Sequence, residues 1–393
     1  MTGREHFMTY AAGRKIYDSD SHVMETLDWL TAYARPEQRG LIREAATRAG
    51  GVGVTKAIDK AKTRRADPEA TTRLLETPLI SGPKGWAAYG ATTPEERRHA
   101  LDLLGFERQL VFPTFSLGQF ARSKELDVLY GGADMLNRHM ADFCREDPRL
   151  DAVGYVPLKD PGLALEAVEA GVRDGIAAFW VSSDPAGERS PSHVDFDPIW
   201  GTLAQHGVPL VLHIGGGRKM DPRYHENGQP KPTDFLGGGE NLRGKDYHSI
   251  SHSPQNFLTA LIYDQVFQRF PKLMCGVIEL GATWVPGFVR ILDQGHHAFR
   301  KMEPLLQGLE VKPSEFFRRQ VRVSLFPYED AGWLIKDVGP EVFMFASDYP
   351  HPEGGRDPIG KFDAALEQWQ IRSADRDRFY HGNFASLMRI QAD

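Results

Sequence analysis

The 393-residue chain carries 47 basic and 53 acidic side chains, a formal net charge of -6, so its surface is not built to neutralise a phosphate backbone and nucleic acid is excluded as an expected partner. Hydrophobic residues at 41% and charged residues at 25% are ordinary for a globular protein, and the length allows one large α/β barrel with insertions or two average domains. The two cysteines, Cys144 and Cys275, form no short pairing such as CxxC, which excludes a disulfide framework. The polar, interrupted N-terminus lacks the apolar core of a secretion signal and no apolar stretch reaches bilayer length, so a cytoplasmic protein without membrane contact is expected.

In chain order, eight apolar runs bounded by turn residues read as strands: 16–22, 108–115, 150–158, 176–182, 209–215, 273–281, 321–327 and 343–351. Most lack two-residue alternation, as parallel strands covered on both faces do. Helical patterns lie between them, in LNRHMADFCRED before the third run, GLALEAVEAGVRD before the fourth, DPIWGTLAQHG before the fifth and NFLTALIYDQVFQRF before the sixth. Strand and helix in repetition mark βαβ units, and eight repeats predict an α/β fold, a closed (β/α)8 TIM barrel forming a single domain over 1–393. The competing open doubly wound sheet would carry a GxGxxG loop after its first strand, and none stands there. Two segments break the repeat. Residues from about 36 to 100 are charged and Ala-rich, with Gly50, Gly51 and Gly53 read as a turn, and residues from about 216 to 251 are rich in Gly, Pro and Asn. Both are expected as helical and loop insertions that wall the C-terminal mouth of the barrel.

Several of these runs end in residue types that bind metal ions. In DSDSHVME, Asp20 and His22 stand two apart on a strand and share a face, with Asp18 on the same parity but deeper and Glu25 in the following loop. A helix-capping Asp beside an incidental His is the plainer reading of that motif. His213 ends PLVLHIGGG, where an imidazole after an apolar run requires a hydrogen bond or a metal. Glu279 in VIELGATW requires a cation, a hydrogen bond or a raised pKa, an ion pair with Arg322 being the competing expectation. Asp348 ends FMFASDYPHPEGG as a metal ligand and acceptor of a proton from bound water, with Tyr349 and His351 facing the mouth as substrate contacts. His252, ahead of its helix, is expected as a ligand or proton carrier, with His248 a weaker competitor, and Arg218 as a bidentate partner for a substrate carboxylate. The expected metal ligands are therefore Asp20, His22, His213, His252, Glu279 and Asp348, and the expected catalytic groups Asp348, Glu279 and His252. Phe115, Phe120, Tyr247, Trp284 and Phe326 suggest an aromatic pocket, core packing being the alternative.

Together, DSDSHVME, LVLHIG, VFQRFPKLMCGVIELGATWVP, KPSEFFRRQV and ASDYPHPEG resemble the amidohydrolase-related branch of the amidohydrolase superfamily, typified by aminocarboxymuconate-semialdehyde decarboxylase. The resemblance runs from DSDSH to YHGNFASLMRI, nearly the whole chain. It implies a distorted (β/α)8 barrel, a metal at the C-terminal mouth and a homodimer. The family's first-strand HxH motif stands here as Asp20-x-His22, His213 matches the fifth-strand ligand and Asp348 the eighth-strand Asp. Where the decarboxylases carry a catalytic His in an HGG context, this chain has Glu279 in ELG. Three carboxylates beside two imidazoles favour Zn, Mn or Fe, and His252 would complete a donor set for two ions bridged by a carboxylate. The expected activity is that of a metal-dependent hydrolase, in which metal-bound water attacks a small organic substrate and Asp348 or Glu279 takes its proton. Non-oxidative decarboxylation of an aromatic or unsaturated carboxylic acid is the alternative. An Fe- or Mn-dependent oxygenase, or a non-catalytic barrel with a paralogous partner subunit, are further readings of the same donors.

Overall fold

Eight parallel strands stand side by side in sequence order. They are β1 (Tyr17–His22), β2 (Arg108–Phe112), β3 (Leu150–Tyr155), β4 (Ala178–Trp180), β5 (Leu210–His213), β6 (Cys275–Ile278), β7 (Val321–Ser324) and β8 (Phe343–Met344). This computed structural model describes residues 9–42, 51–185, 187–217, 220–230 and 244–390. The last strand returns to the first: Ser19 N donates to Phe345 O at 3.1 Å, Asp348 N to Asp20 O at 2.9 Å and His22 N to Tyr349 O at 2.8 Å. A parallel bridge between Ser21 and Tyr349 joins the same seam. The result is the α/β class (β/α)8 TIM barrel that the eight repeats predict.

Strand residues are buried throughout except half-buried Arg108, which is why the apolar runs show no alternation: the inner face fills the barrel and the outer face meets helices. Between β1 and β6 lie α1 (Gly51–Arg65), α2 (Pro68–Leu75), α3 (Pro94–Leu104), α4 (Leu126–Arg145), α5 (Pro161–Asp174), α6 (Asp197–His206), α7 (Gly244–Ser249), α8 (His252–Tyr263) and α9 (Val266–Arg269). The limits of α5 are written in its sequence. Asp160 accepts from Leu163 N at 3.0 Å and Pro161 opens the helix. Gly175 closes it at φ +99°, a conformation costly for any residue with a Cβ.

Three expectations are corrected. The eighth run pairs as a ladder only over Phe343–Met344, and further along, at Asp348, its backbone enters the left-handed region (φ +50°). The pattern over 256–270 is not one helix: α8 ends at Tyr263 and Gln265, at φ +63°, separates it from α9. Gly51 and Gly53 lie inside α1 rather than in a turn, Gly50 being outside the described residues. Of the two insertions, the first runs through α1 and α2 into α3, all between β1 and β2, and most of the second, 231–243, lies outside the described residues. Among the described residues no helix is long and apolar enough to cross a membrane.

Candidate metal centre

Strand ends from β1, β5 and β6 and the turn after β8 bring six side chains into contact in two overlapping quartets, Asp20, His22, His213, Glu279 and His22, Glu279, Asp348, His351. Every one is buried. His22 Nε2 lies 3.2 Å from Asp20 Oδ1, 3.5 Å from Asp348 Oδ1 and 3.7 Å from Glu279 Oε2. His213 Nε2 lies 3.3 Å from Glu279 Oε2 and 3.6 Å from Asp20 Oδ1, and His351 Nδ1 lies 3.0 Å from Asp348 Oδ1. Asp20 Oδ1, His22 Nε2 and both Asp348 carboxylate oxygens are buried without a hydrogen bond. Like charges at this density are strongly unfavourable in a dry site unless a cation or protons neutralise them. Three carboxylates and three imidazoles are a donor set suited to a metal cation, so the residues present could hold a metal.

The orientation of each imidazole is set from behind. His213 Nδ1 donates to Ile214 O at 2.9 Å, which leaves Nε2 as the lone-pair nitrogen facing the cluster. Thr114, just beyond β2, serves two rings at once. Its single hydroxyl proton goes to Val23 O at 2.9 Å, so the oxygen accepts from His22 Nδ1 at 3.3 Å and from His351 Nε2 at 3.1 Å. The two rings stack with centroids 3.9 Å apart, and both turn a proton-free nitrogen to the carboxylates. The loops behind are pinned by buried carboxylates of their own. Glu25 accepts from the backbone N–H groups of Thr114, Phe115 and Ser116 and from the Ser116 hydroxyl. Glu329 does the same for Ala282, Thr283 and Phe326 beside β6.

The carboxylate donors at β6 and β8 hang from strained backbone: Glu279 has φ +53° and Asp348 φ +50°, conformations that persist only where surrounding contacts impose them. Glu279 N donates to Ser324 Oγ at 3.0 Å and Asp348 N to Asp20 O at 2.9 Å. Burial pushes Asp348 up to about 7, and burial lowers His22 to about 3. Asp18, one step deeper, accepts from Ser347 N, the Ser347 hydroxyl and Gln109 Nε2, which ties β8, β1 and β2 together beneath the cluster.

Of the residues singled out in the sequence, Asp20, His22, His213, Glu279 and Asp348 are brought together. Arg322 does not pair with Glu279; it sits at the start of β7, at the opposite end of the barrel, and bonds Arg318 O, Val321 O and Ser386. His252 does not join the donor quartets: it starts α8 with an exposed side chain, 5.6 Å from the His248 ring. Both line a cavity of about 940 Å³ with Ser183, Asp184, Tyr224 and Ser253, and none of the six donors lines it. Tyr349 is corrected too. Its ring is fully buried, with its hydroxyl donating to Tyr89 O at 2.7 Å, so it braces the seam and does not face the mouth. His351 joins the donors instead of the substrate surface, and Arg218 lies outside the described residues. Phe115 stacks on Trp86 at 4.7 Å and Phe326 on Tyr328 at 5.2 Å, with Tyr247 5.8 Å from Phe326. Phe120 is core against Gly132 and Tyr155, and Trp284 bonds Gly281 O and packs on Phe288 and Phe317.

Sequence reasoning missed Thr114 and Lys84. Thr114 lies in an unremarkable VFPTF run, and Lys84 lies in the charged first insertion, where nothing separates it from surface lysines. In the fold Gly85 N donates to Pro350 O at 2.9 Å and Trp86 Nε1 to Glu25 O at 2.9 Å, docking this segment onto the mouth. Lys84 Nζ is thereby buried 5.6 Å from the Tyr349 ring centre without a hydrogen-bond acceptor. Burial lowers its pKa to about 8, against the attraction of Asp348.

Among curated proteins none matches the chain. Solved structures do. An amidohydrolase from Mycobacterium avium subsp. paratuberculosis K-10 is 21% identical with a TM-score of 0.71, covering 97% of this chain and 99% of its own. The 5-carboxyvanillate decarboxylase of Novosphingobium aromaticivorans DSM 12444, with bound manganese and 3-methoxy-4-hydroxy-5-nitrobenzoic acid, is 19% identical with a TM-score of 0.63, covering 97% and 99%. A dihydroxybenzoic acid decarboxylase from Polaromonas sp. JS666, with manganese and 2-nitroresorcinol, is 15% identical with a TM-score of 0.59, covering 96% and 97%. At these identities the likeness is one of fold. The family profile described as Amidohydrolase matches residues 33–389, and the chain accordingly belongs to the amidohydrolase family.

Proposed function

We propose that the protein is a metal-dependent, non-oxidative carboxy-lyase acting on a small aromatic or unsaturated carboxylic acid. The observation that carries this reading is the buried set of carboxylates and imidazoles at the C-terminal mouth, on a barrel whose solved likenesses include manganese-bound decarboxylases. Asp20, His22, His213, Glu279 and Asp348 would hold the ion, which supplies Lewis-acid binding for a substrate carboxylate and a neighbouring oxygen. The chain's own groups do the rest. The stacked pairs Trp86–Phe115 and Phe326–Tyr328 offer flat walls for a planar substrate near the ends of β2 and β7. Lys84 places a cation on the Asp348 side of the mouth, where it balances the charge of an acid substrate. Asp348, 3.0 Å from His351 Nδ1, hands a proton to the carbon from which carbon dioxide departs.

Hydrolysis is the second reading, favoured by one observation: the β6 donor is the carboxylate Glu279, 3.3 Å from His213 Nε2, a group suited to take a proton from water. One experiment separates the two. Manganese-loaded protein is incubated with a panel of carboxyl-labelled hydroxybenzoates and with esters and amides in oxygen-18 water, under air and under nitrogen. Labelled carbon dioxide without oxygen-18 in the organic product supports the carboxy-lyase; oxygen-18 in a released acid, without carbon dioxide, overturns it in favour of the hydrolase.

A further inference from the structure

Two turns at the C-terminal mouth are joined through a buried side chain. Glu329, only 7% exposed, stands in the loop after β7. Its Oε1 accepts from Ala282 N and Thr283 N, each at 2.8 Å, and from Thr283 Oγ1 at 2.7 Å, in the turn that follows Glu279. Its Oε2 accepts from Phe326 N at 2.9 Å. The carboxylate thus spans both turns, and Glu279 N donating to Ser324 Oγ at 3.0 Å repeats the link closer to the strands.

Phe326 carries the link into an aromatic platform. Its ring packs 3.7 Å from where a Cβ on Gly281 would stand, two residues past Glu279. Tyr328 lies on that ring with centres 5.2 Å apart and planes 7° from parallel. Tyr247 is 5.8 Å from both rings, which puts it beside the stack and not on the far face of Tyr328. That far face is open, for Tyr328 is 59% exposed although its near face is covered. We propose that Tyr328 receives a substrate ring on this open face, and that Glu329 is a positioning residue that fixes the platform relative to Glu279. The role rests on the mouth taking a small organic acid, and it narrows that acid to one with a planar ring. Glu329→Gln keeps the shape and loses the bridge. A carboxylate has two acceptor oxygens and an amide one, so either Phe326 N or the Ala282 and Thr283 donors would meet an amide NH2 instead.

Two acids of like size and charge, benzoate with a flat ring and cyclohexanecarboxylate with a puckered one, test the platform. Manganese-loaded full-length protein is titrated with each by calorimetry, and metal content is measured by elemental analysis. Wild type is expected to favour benzoate by about 3- to 10-fold, the effect of one aromatic stack. Tyr328→Leu and Glu329→Gln are each expected to bring the ratio close to one with metal content unchanged. A loss of general stability would weaken both acids alike and leave the ratio where it was. A wild-type ratio of one, or no binding of either acid, overturns the platform, as does Tyr328→Leu with the wild-type ratio. Glu329→Gln with the wild-type ratio overturns the role of Glu329. Should that variant fail to fold, Thr283→Val, which removes one donor from Oε1, takes its place, and an unchanged ratio there overturns the same role. Carbon dioxide release from labelled aromatic acids is scored separately. A preference for benzoate without release refutes the carboxy-lyase and leaves the platform standing, and release without the preference does the reverse.

Discussion

Thr114→Val is the most searching single substitution, because valine matches threonine in shape and removes only the hydroxyl that serves three partners. The oxygen donates to Val23 O at 2.9 Å and accepts from His351 Nε2 at 3.1 Å and His22 Nδ1 at 3.3 Å. Each hydrogen bond contributes about 1 kcal/mol net, and the buried groups left behind add to the loss, so the metal-free protein should lose about 3 kcal/mol of stability. The functional effect is separable. Without the shared acceptor neither ring is held in the tautomer that presents a lone pair to the carboxylates, and metal affinity should fall about 10- to 100-fold, about 1.4–2.7 kcal/mol. Urea unfolding of the metal-free protein gives the first quantity, and competition for Mn(II) against a chelator of known affinity gives the second. Thr114→Ser, which keeps the hydroxyl, should recover most of the affinity. Unchanged affinity in Thr114→Val, within about 2-fold, would refute the assignment of Thr114 as the group orienting both rings.

Asp348→Asn should cut turnover by about 10²- to 10⁴-fold while leaving the circular dichroism spectrum unchanged, since the backbone contact from Asp348 N to Asp20 O remains; retained activity would remove Asp348 from the chemistry. Gly354→Ala should destabilise by about 1–3 kcal/mol or more, because its Cβ would fall 1.9 Å from Ser347 O in the turn carrying Asp348; an unaltered melting temperature would show that the turn is softer than described. Lys84 gives a pH dependence with a definite sign. Its folded pKa of about 8 lies below the ordinary 10.5, so from about pH 8 upwards the unfolded chain binds the extra proton and folding stability rises relative to Lys84→Met. The gain reaches about 3 kcal/mol near pH 10.5. Parallel stability profiles for the two proteins in urea between those limits would contradict the burial of this amine.

Much of the fold was legible because parallel strands buried on both faces leave apolar runs that periodicity cannot disguise, and because caps such as Asp160 and Gly175 sit at the ends they define. The donors were legible for a related reason: Asp20, His22, His213, Glu279 and Asp348 are polar residues in apolar surroundings, which demand a partner. What could not be read depends on distance through space. Thr114 stands between two histidines 92 and 237 residues away in sequence, and the role of Lys84 follows from docking of an insertion through Trp86 and Gly85. His252 misled because a histidine before a helix looks alike whether its ring turns inward or, as here, outward. Tyr349 and His351, two residues apart, share a side by strand parity alone; the chain turns at Asp348, so the first braces the barrel wall and the second enters the cluster.

The junction of β8 with β1 is closed by donor-bearing residues themselves: Asp348 N reaches Asp20 O, and His22 N reaches Tyr349 O. A cation gripping Asp20, His22 and Asp348 therefore acts as a clasp on the one place where this cylinder of strands meets its own beginning. Filling the centre and fastening the barrel become a single event. Stripping metal should then loosen the molecule first along this line, as faster amide hydrogen exchange at His22 and Asp348 while β3 to β6 stay protected.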